Sequence, residues 1–158
     1  MSDQQCKCPN VEAVATVIAQ GPKILAVFNP RWGGFTLPIS KRKAFRDSVM
    51  DSPAKPEDWP KSAARVAAEV LGRSFGPGEL PRLLCEIKDY EQSDADGVWK
   101  LYTIQVFGLK VAEDVRLAPG VSAEWLVPED FQTREPMTRT VRFIVARLKE
   151  QSLLPPWK

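Results

Sequence analysis

The groups best suited to chemistry lie between residues 57 and 72. Glu57, Arg65 and Glu69 stand there in a run otherwise rich in alanine and valine, and Gly72 closes it. At about 100° per residue, Ala63, Ala64, Val66, Ala67, Ala68, Val70 and Leu71 spread over a broad apolar sector, and Arg65, Glu69 and Gly72 share the remaining arc. The spacing predicts an amphipathic helix carrying Arg65 and Glu69 as an i, i+4 pair, worth about 0.2–0.5 kcal/mol on an exposed face. Glu57, Asp58, Trp59 and Pro60 suit its first turn, where acidic groups complement the helix dipole. A second cluster, Lys41, Arg42, Lys43 and Arg46, concentrates positive charge that fits either a phosphate or a solvated loop. The chain has no histidine, which removes Ser-His-Asp and Cys-His catalysis and histidine-ligated metals. Acid and base chemistry falls to carboxylates or lysines.

Residues 57–72, Glu-Asp-Trp-Pro-Lys-Ser-Ala-Ala-Arg-Val-Ala-Ala-Glu-Val-Leu-Gly, resemble the helix of the Nudix box, G-x5-E-x7-R-E-U-x-E-E-x-G-U, where U is a bulky aliphatic residue. Glu57 and Arg65 keep the E-x7-R spacing, Glu69 matches the first residue of the Glu-Glu pair, and Gly72 matches the glycine. Val66 and Val70 stand at the other two acidic positions, and Arg73 replaces an aliphatic residue. The resemblance implies that carboxylates at 66, 69 and 70 would share one helical face and converge on a cation. Magnesium requires near-octahedral oxygen ligands, and here only Glu69 remains to hold it. Valine at 66 cannot act as a general base. The mechanism implied by the family, metal-assisted attack of water on a diphosphate, therefore lacks parts, with Glu69 the one catalytic and metal-binding candidate.

The elements around this helix follow the order of that family. Val11–Ala19 and Lys23–Phe28 are β-branched runs separated by Gln20-Gly21-Pro22, which predicts a hairpin. Arg31-Trp32-Gly33-Gly34-Phe35-Thr36-Leu37-Pro38 resembles the stretch before the box, where Leu-Pro leads into Gly-Gly-Lys; here Ile39-Ser40-Lys41 follows. Ile39 lacks glycine's access to positive φ, so a rebuilt loop is expected. Ser40 stands 25 residues before Arg65, against 14 for the glycine of the family pattern, implying an insertion of roughly 11 residues punctuated by Pro53, Pro56 and Pro60. Phe75-Gly76-Pro77-Gly78 is a break. Leu80–Tyr90 and Val98–Phe107 read as strands around an acidic turn, 91–97. Glu124-Trp125-Leu126-Val127-Pro128-Glu129-Asp130-Phe131 resembles the late strand and turn of Nudix domains, and Thr138–Gln151 carries Val141, Ile144, Val145 and Leu148 at helical spacing. The expected fold is α/β, a Nudix-like α/β/α sandwich around a mixed sheet. It would occupy residues 11–150, between a flexible N-terminal arm, 1–10, and an apolar tail, 151–158.

A chain of 158 residues suits one domain. It has no apolar run approaching a membrane helix and a polar start, so a cytoplasmic protein is expected. Cys6, Cys8 and Cys85 do not make a zinc site. A net charge of +2 does not indicate nucleic acid. The apolar ending, Leu153-Leu154-Pro155-Pro156-Trp157, is expected to fold back, or to bury against a second subunit in a homodimer.

Two functions follow. In the first, the domain has impaired catalysis and binds a nucleotide, another diphosphate ligand or a protein, with Lys41, Arg42 and Lys43 as phosphate-binding cations. In the second, it is an active diphosphate hydrolase using magnesium or manganese, with Glu69 joined by a later carboxylate among Glu86, Asp89, Glu91, Asp94 and Asp96.

Overall fold

The computed structural model describes residues 10–41, 44–45, 55–56, 58–92 and 97–157. Cys6, Cys8, Arg42, Lys43, Arg46, Pro53, Glu57, Asp94 and Asp96 lie outside the described residues. Strands β1 (Asn10–Gln20) and β2 (Lys23–Asn29) form the expected hairpin. The next are β3 (Gly34–Thr36) and β4 (Ile39–Lys41), followed by a separate short pair, β5 (Ala44–Phe45) and β6 (Lys55–Pro56). Helix α1 (Trp59–Leu71) leads through a 3-10 turn at Pro77–Glu79 to β7 (Arg82–Gln92), β8 (Trp99–Lys110), β9 (Ala123–Leu126), α2 (Asp130–Thr133) and α3 (Arg139–Glu150).

β1 is the axis of the sheet. It runs parallel to β8 from Asn10↔Leu101 to Ala19↔Lys110, while its other edge pairs antiparallel with β4 early and with β2 late. The path β3-β2-β1-β8-β7 is therefore a mixed sheet, with β9 added antiparallel to β2. Seven successive residues of β1, Ala13–Ala19, are buried, as befits a strand covered on both faces. Ala13, Ala15, Val17, Ile24, Ala26, Ile104 and Val106 pack on α3 through Val141, Ile144, Val145 and Leu148. Ile18 and Leu25 on the opposite face meet Ala67, Val70 and Leu71 of α1, and Val14 and Phe107 meet its Ala63 and Val66. An α/β/α sandwich results, each fully buried Val, Leu or Ile contributing about 1.5–3 kcal/mol.

Two sequence expectations change locally. Ile39–Lys41, expected to open a rebuilt loop, is a strand pairing with Ala13–Ala15, because a β-branched residue fits an extended ladder. Asp58, expected inside the first helical turn, is the extended N-cap residue; the helix starts at Trp59 with Pro60 in its first turn, where a missing N–H costs nothing. The C-terminal segment lies on the core: Pro155 is buried, and Leu153, Leu154 and Trp157 pack against it. Trp157 donates its indole N–H to the Leu153 carbonyl at 2.9 Å. Gly108 makes the approach feasible, since a Cβ there would lie 2.9 Å from the Trp157 ring. No helix of the described residues is long and apolar enough to cross a membrane.

Candidate functional site

α1 faces a cleft of about 190 Å³ bounded by the ends of β2, β3 and β4. Val66, Glu69 and Val70 line it from the helix; Phe28, Asn29 and Ile39 line it from the sheet. The i, i+3, i+4 spacing thus does bring positions 66, 69 and 70 to one place. Their surroundings differ sharply. Val66 is 4% and Val70 8% exposed, each with one flank in the core and one at the cleft, whereas the Glu69 side chain is 63% exposed.

Arg65 holds the acidic group. One guanidinium nitrogen donates to Glu69 Oε1 at 3.2 Å and the other to the Lys41 carbonyl at 3.3 Å, tying the end of β4 to the helix. Lys41 itself is exposed and does not line the cleft. Thr16, fully buried beneath the helix, donates its hydroxyl to the Ala63 carbonyl at 3.0 Å and so fixes the height of α1 over β1. Gly72 has a structural task. Its φ of +67° terminates the helix, its N–H donates to the Ala68 carbonyl, and a Cβ there would stand 3.2 Å from Ala118. Arg73 leaves the core altogether, pairing with Glu79 at 2.7 Å and lying over the Phe75 ring.

The donor set of the cleft does not fit a divalent cation, because Glu69 is the one carboxylate among its described lining residues and two valines flank it. Among the described residues no three acidic or sulfur groups converge to hold a metal. Glu86 and Asp89 lie on β7, the strand at the far edge of the sheet from β2, and neither lines the cleft. Phe28 and Asn29 escaped the sequence reading. The turn signal Asn29-Pro30 was the available clue, and Asn29 accepts the Arg31 N–H at 2.9 Å to shape that turn. A larger cavity, about 370 Å³, opens just past the C-terminus of α1 beside Arg73, Phe75 and Glu79. Its Arg73 and Glu79 neutralise one another, and Lys110 and Asp114 add one further charge of each sign, so no single sign of ligand is favoured there.

No protein-family model matches the chain, and neither does any curated protein. Solved structures do match. The MutT protein of Methanosarcina mazei Go1 superposes with a TM-score of 0.64 at 18% identity, covering 94% of this chain and 99% of that one. A MutT NUDIX hydrolase of Burkholderia pseudomallei gives 0.61 at 16% identity, covering 88% and 98%. The fold is that of the Nudix hydrolases. The NUDIX domain of Shewanella oneidensis NrtR, complexed with ADP ribose, shares this Nudix fold with a TM-score of 0.59 at 15% identity, covering 96% of this chain and 93% of that one.

Proposed function

We propose that this Nudix-fold chain is a binding module for a nucleotide or another small diphosphate-containing ligand, with impaired hydrolysis. Val66 and Val70 carry the proposal. They border the cleft beside Glu69, where the resemblance to the Nudix box implies carboxylates, and neither can coordinate a cation or accept a proton. Typical enzymatic accelerations require about 8–23 kcal/mol of barrier reduction, which a lone exposed carboxylate paired with Arg65 is poorly placed to supply. A neighbouring structure of the same fold holds ADP ribose, which supports a phosphorylated ligand. Lys41, which lies outside the lining of the cleft, is proposed together with Arg42 and Lys43 to meet the ligand's phosphates in the place of metal ions.

Calorimetry with nucleoside diphosphate sugars, dinucleoside polyphosphates and free nucleotides tests this, each with and without magnesium. Binding independent of magnesium, with no release of phosphate or nucleoside monophosphate, is expected. Absence of binding at millimolar ligand would remove the small-ligand function. Magnesium-dependent hydrolysis abolished by Glu69→Gln would establish an active enzyme with a different acidic site instead.

A further inference from the structure

We infer that β7 is the contact through which two copies of this chain associate, edge to edge and antiparallel, about a two-fold axis at Ile87. β7 is the last strand of the sheet path, paired with β8 along its inner edge from Arg82 to Gln92. Among the described residues no strand pairs with its outer edge. An eleven-residue edge is a template for another strand unless short length, bulges or charge blunt it. β7 has one bulge, between Leu83 and Cys85, and is regular beyond it.

The register follows from faces and charges. Opposite residues in an antiparallel pair point to the same face, so a two-fold axis normal to the sheet must pass through a residue that faces its own copy. Centring on Glu86, Lys88 or Asp89 sets that charge against itself, which is destabilising. Centring on Cys85 puts both bulges in the middle of the ladder, and centring on Tyr90 leaves only residues 88–92 paired. Ile87 remains. It is apolar, 1% exposed and directed into the core, so its own side chain makes no demand on the contact.

About Ile87, Glu86 of each copy stands opposite Lys88 of the other, twice over. Both are exposed and belong to the face that carries α1, being paired with Gln105 and Thr103 of β8. The extra residue of the bulge then brings Leu83 opposite Tyr90 of the second copy. Those two are 51% and 48% exposed and lie on that same face, across from Phe107 and Leu101. On the face that carries α1, opposite charges and apolar surfaces thus meet in this one register, while Cys85 stands across from Asp89 on the other face.

Charge reversal tests it by sedimentation equilibrium. The wild-type chain is expected to dimerise at about 100 µM. Glu86→Lys sets two lysines against each other at each crossing, and Lys88→Glu sets two glutamates together, so each variant alone should associate at least about tenfold more weakly. An equimolar mixture of the two variants restores both opposite-charge pairs and should regain the dimer. Both side chains are exposed, Glu86→Lys gives up only the exposed bond from Gln105 Nε2 at 3.0 Å, and circular dichroism of each variant checks that the fold is kept. A monomeric wild type at this concentration, unchanged association in either single variant, or a mixture that stays monomeric would overturn the inference.

Discussion

Replacing Val66 and Val70 by glutamate places two further carboxylates beside Glu69. Each valine has a core flank, Val66 against Val14 and Phe107, Val70 against Ile18 and Leu25, so the change removes apolar packing worth about 1.5–3 kcal/mol per fully buried side chain. Both also border the cleft, and a glutamate can keep its stem on the core while its carboxylate reaches water. A combined loss of roughly 2–5 kcal/mol follows, less than the cost of two fully buried unpaired charges. For a chain of this size about 1 kcal/mol corresponds to roughly 2–4 °C, so the melting temperature should fall by about 5–20 °C without metal. With three carboxylates converging, a magnesium Kd near 1 mM would return about 1.4 kcal/mol at ~10 mM ion, a rise of roughly 3–6 °C. The wild type, with Glu69 alone, should move by less than about 1 °C. Thermal unfolding at matched ionic strength reads both effects, and Glu69→Gln added to the double variant should cancel the magnesium response. An equal response in the wild type would show that Glu69 already belongs to a metal site. No response in the double variant would show that the three positions do not converge on one ion.

Three other outcomes follow from single contacts. Thr16→Val removes the buried hydroxyl bond to the Ala63 carbonyl and should cost about 1 kcal/mol in urea unfolding; an unchanged midpoint would mean α1 does not rest on that bond. Gly108→Val pushes into the Trp157 ring and should destabilise by roughly 1–3 kcal/mol while displacing the C-terminal segment, seen as faster amide exchange at Leu153 and Leu154; unchanged exchange there would refute the packing. Burial holds the Cys85 thiol above its ordinary range, a shift that Arg147 only partly opposes. In a Cys6→Ser, Cys8→Ser background its alkylation should therefore reach half-maximal rate at a higher pH in the folded chain than in urea. The sign for stability is the same: the contribution of this protonated thiol is full below the unfolded pKa and is lost as pH rises through the higher folded one.

Much of the fold was legible because local signals and burial agreed. The β-branched runs on either side of Gln20-Gly21-Pro22, the aromatic alternation ending at Phe107, and Val141, Ile144, Val145 and Leu148 at helical spacing each place their apolar groups where the sheet and α3 need them. Ile39 misled, because its role depends on β1 being available as a partner, a long-range pairing that no local window contains. Phe28 and Asn29 were missed at the cleft for a similar reason. They face Val66 and Glu69 only once β2 and α1 have packed.

The sequence by itself determined the amphipathic helix, its Arg65–Glu69 pair and the aliphatic residues at 66 and 70, since side-chain type and a period of 3.6 residues are local properties. It also placed Gly72 at the end of that helix. Only the tertiary structure decided that both valines touch core and cleft at once, that Arg65 reaches the Lys41 carbonyl, and that β7 ends the sheet path with Glu86 and Lys88 exposed. Those facts depend on which strands meet across long stretches of chain, and that is settled by the burial of two sheet faces together, beyond the reach of any single segment.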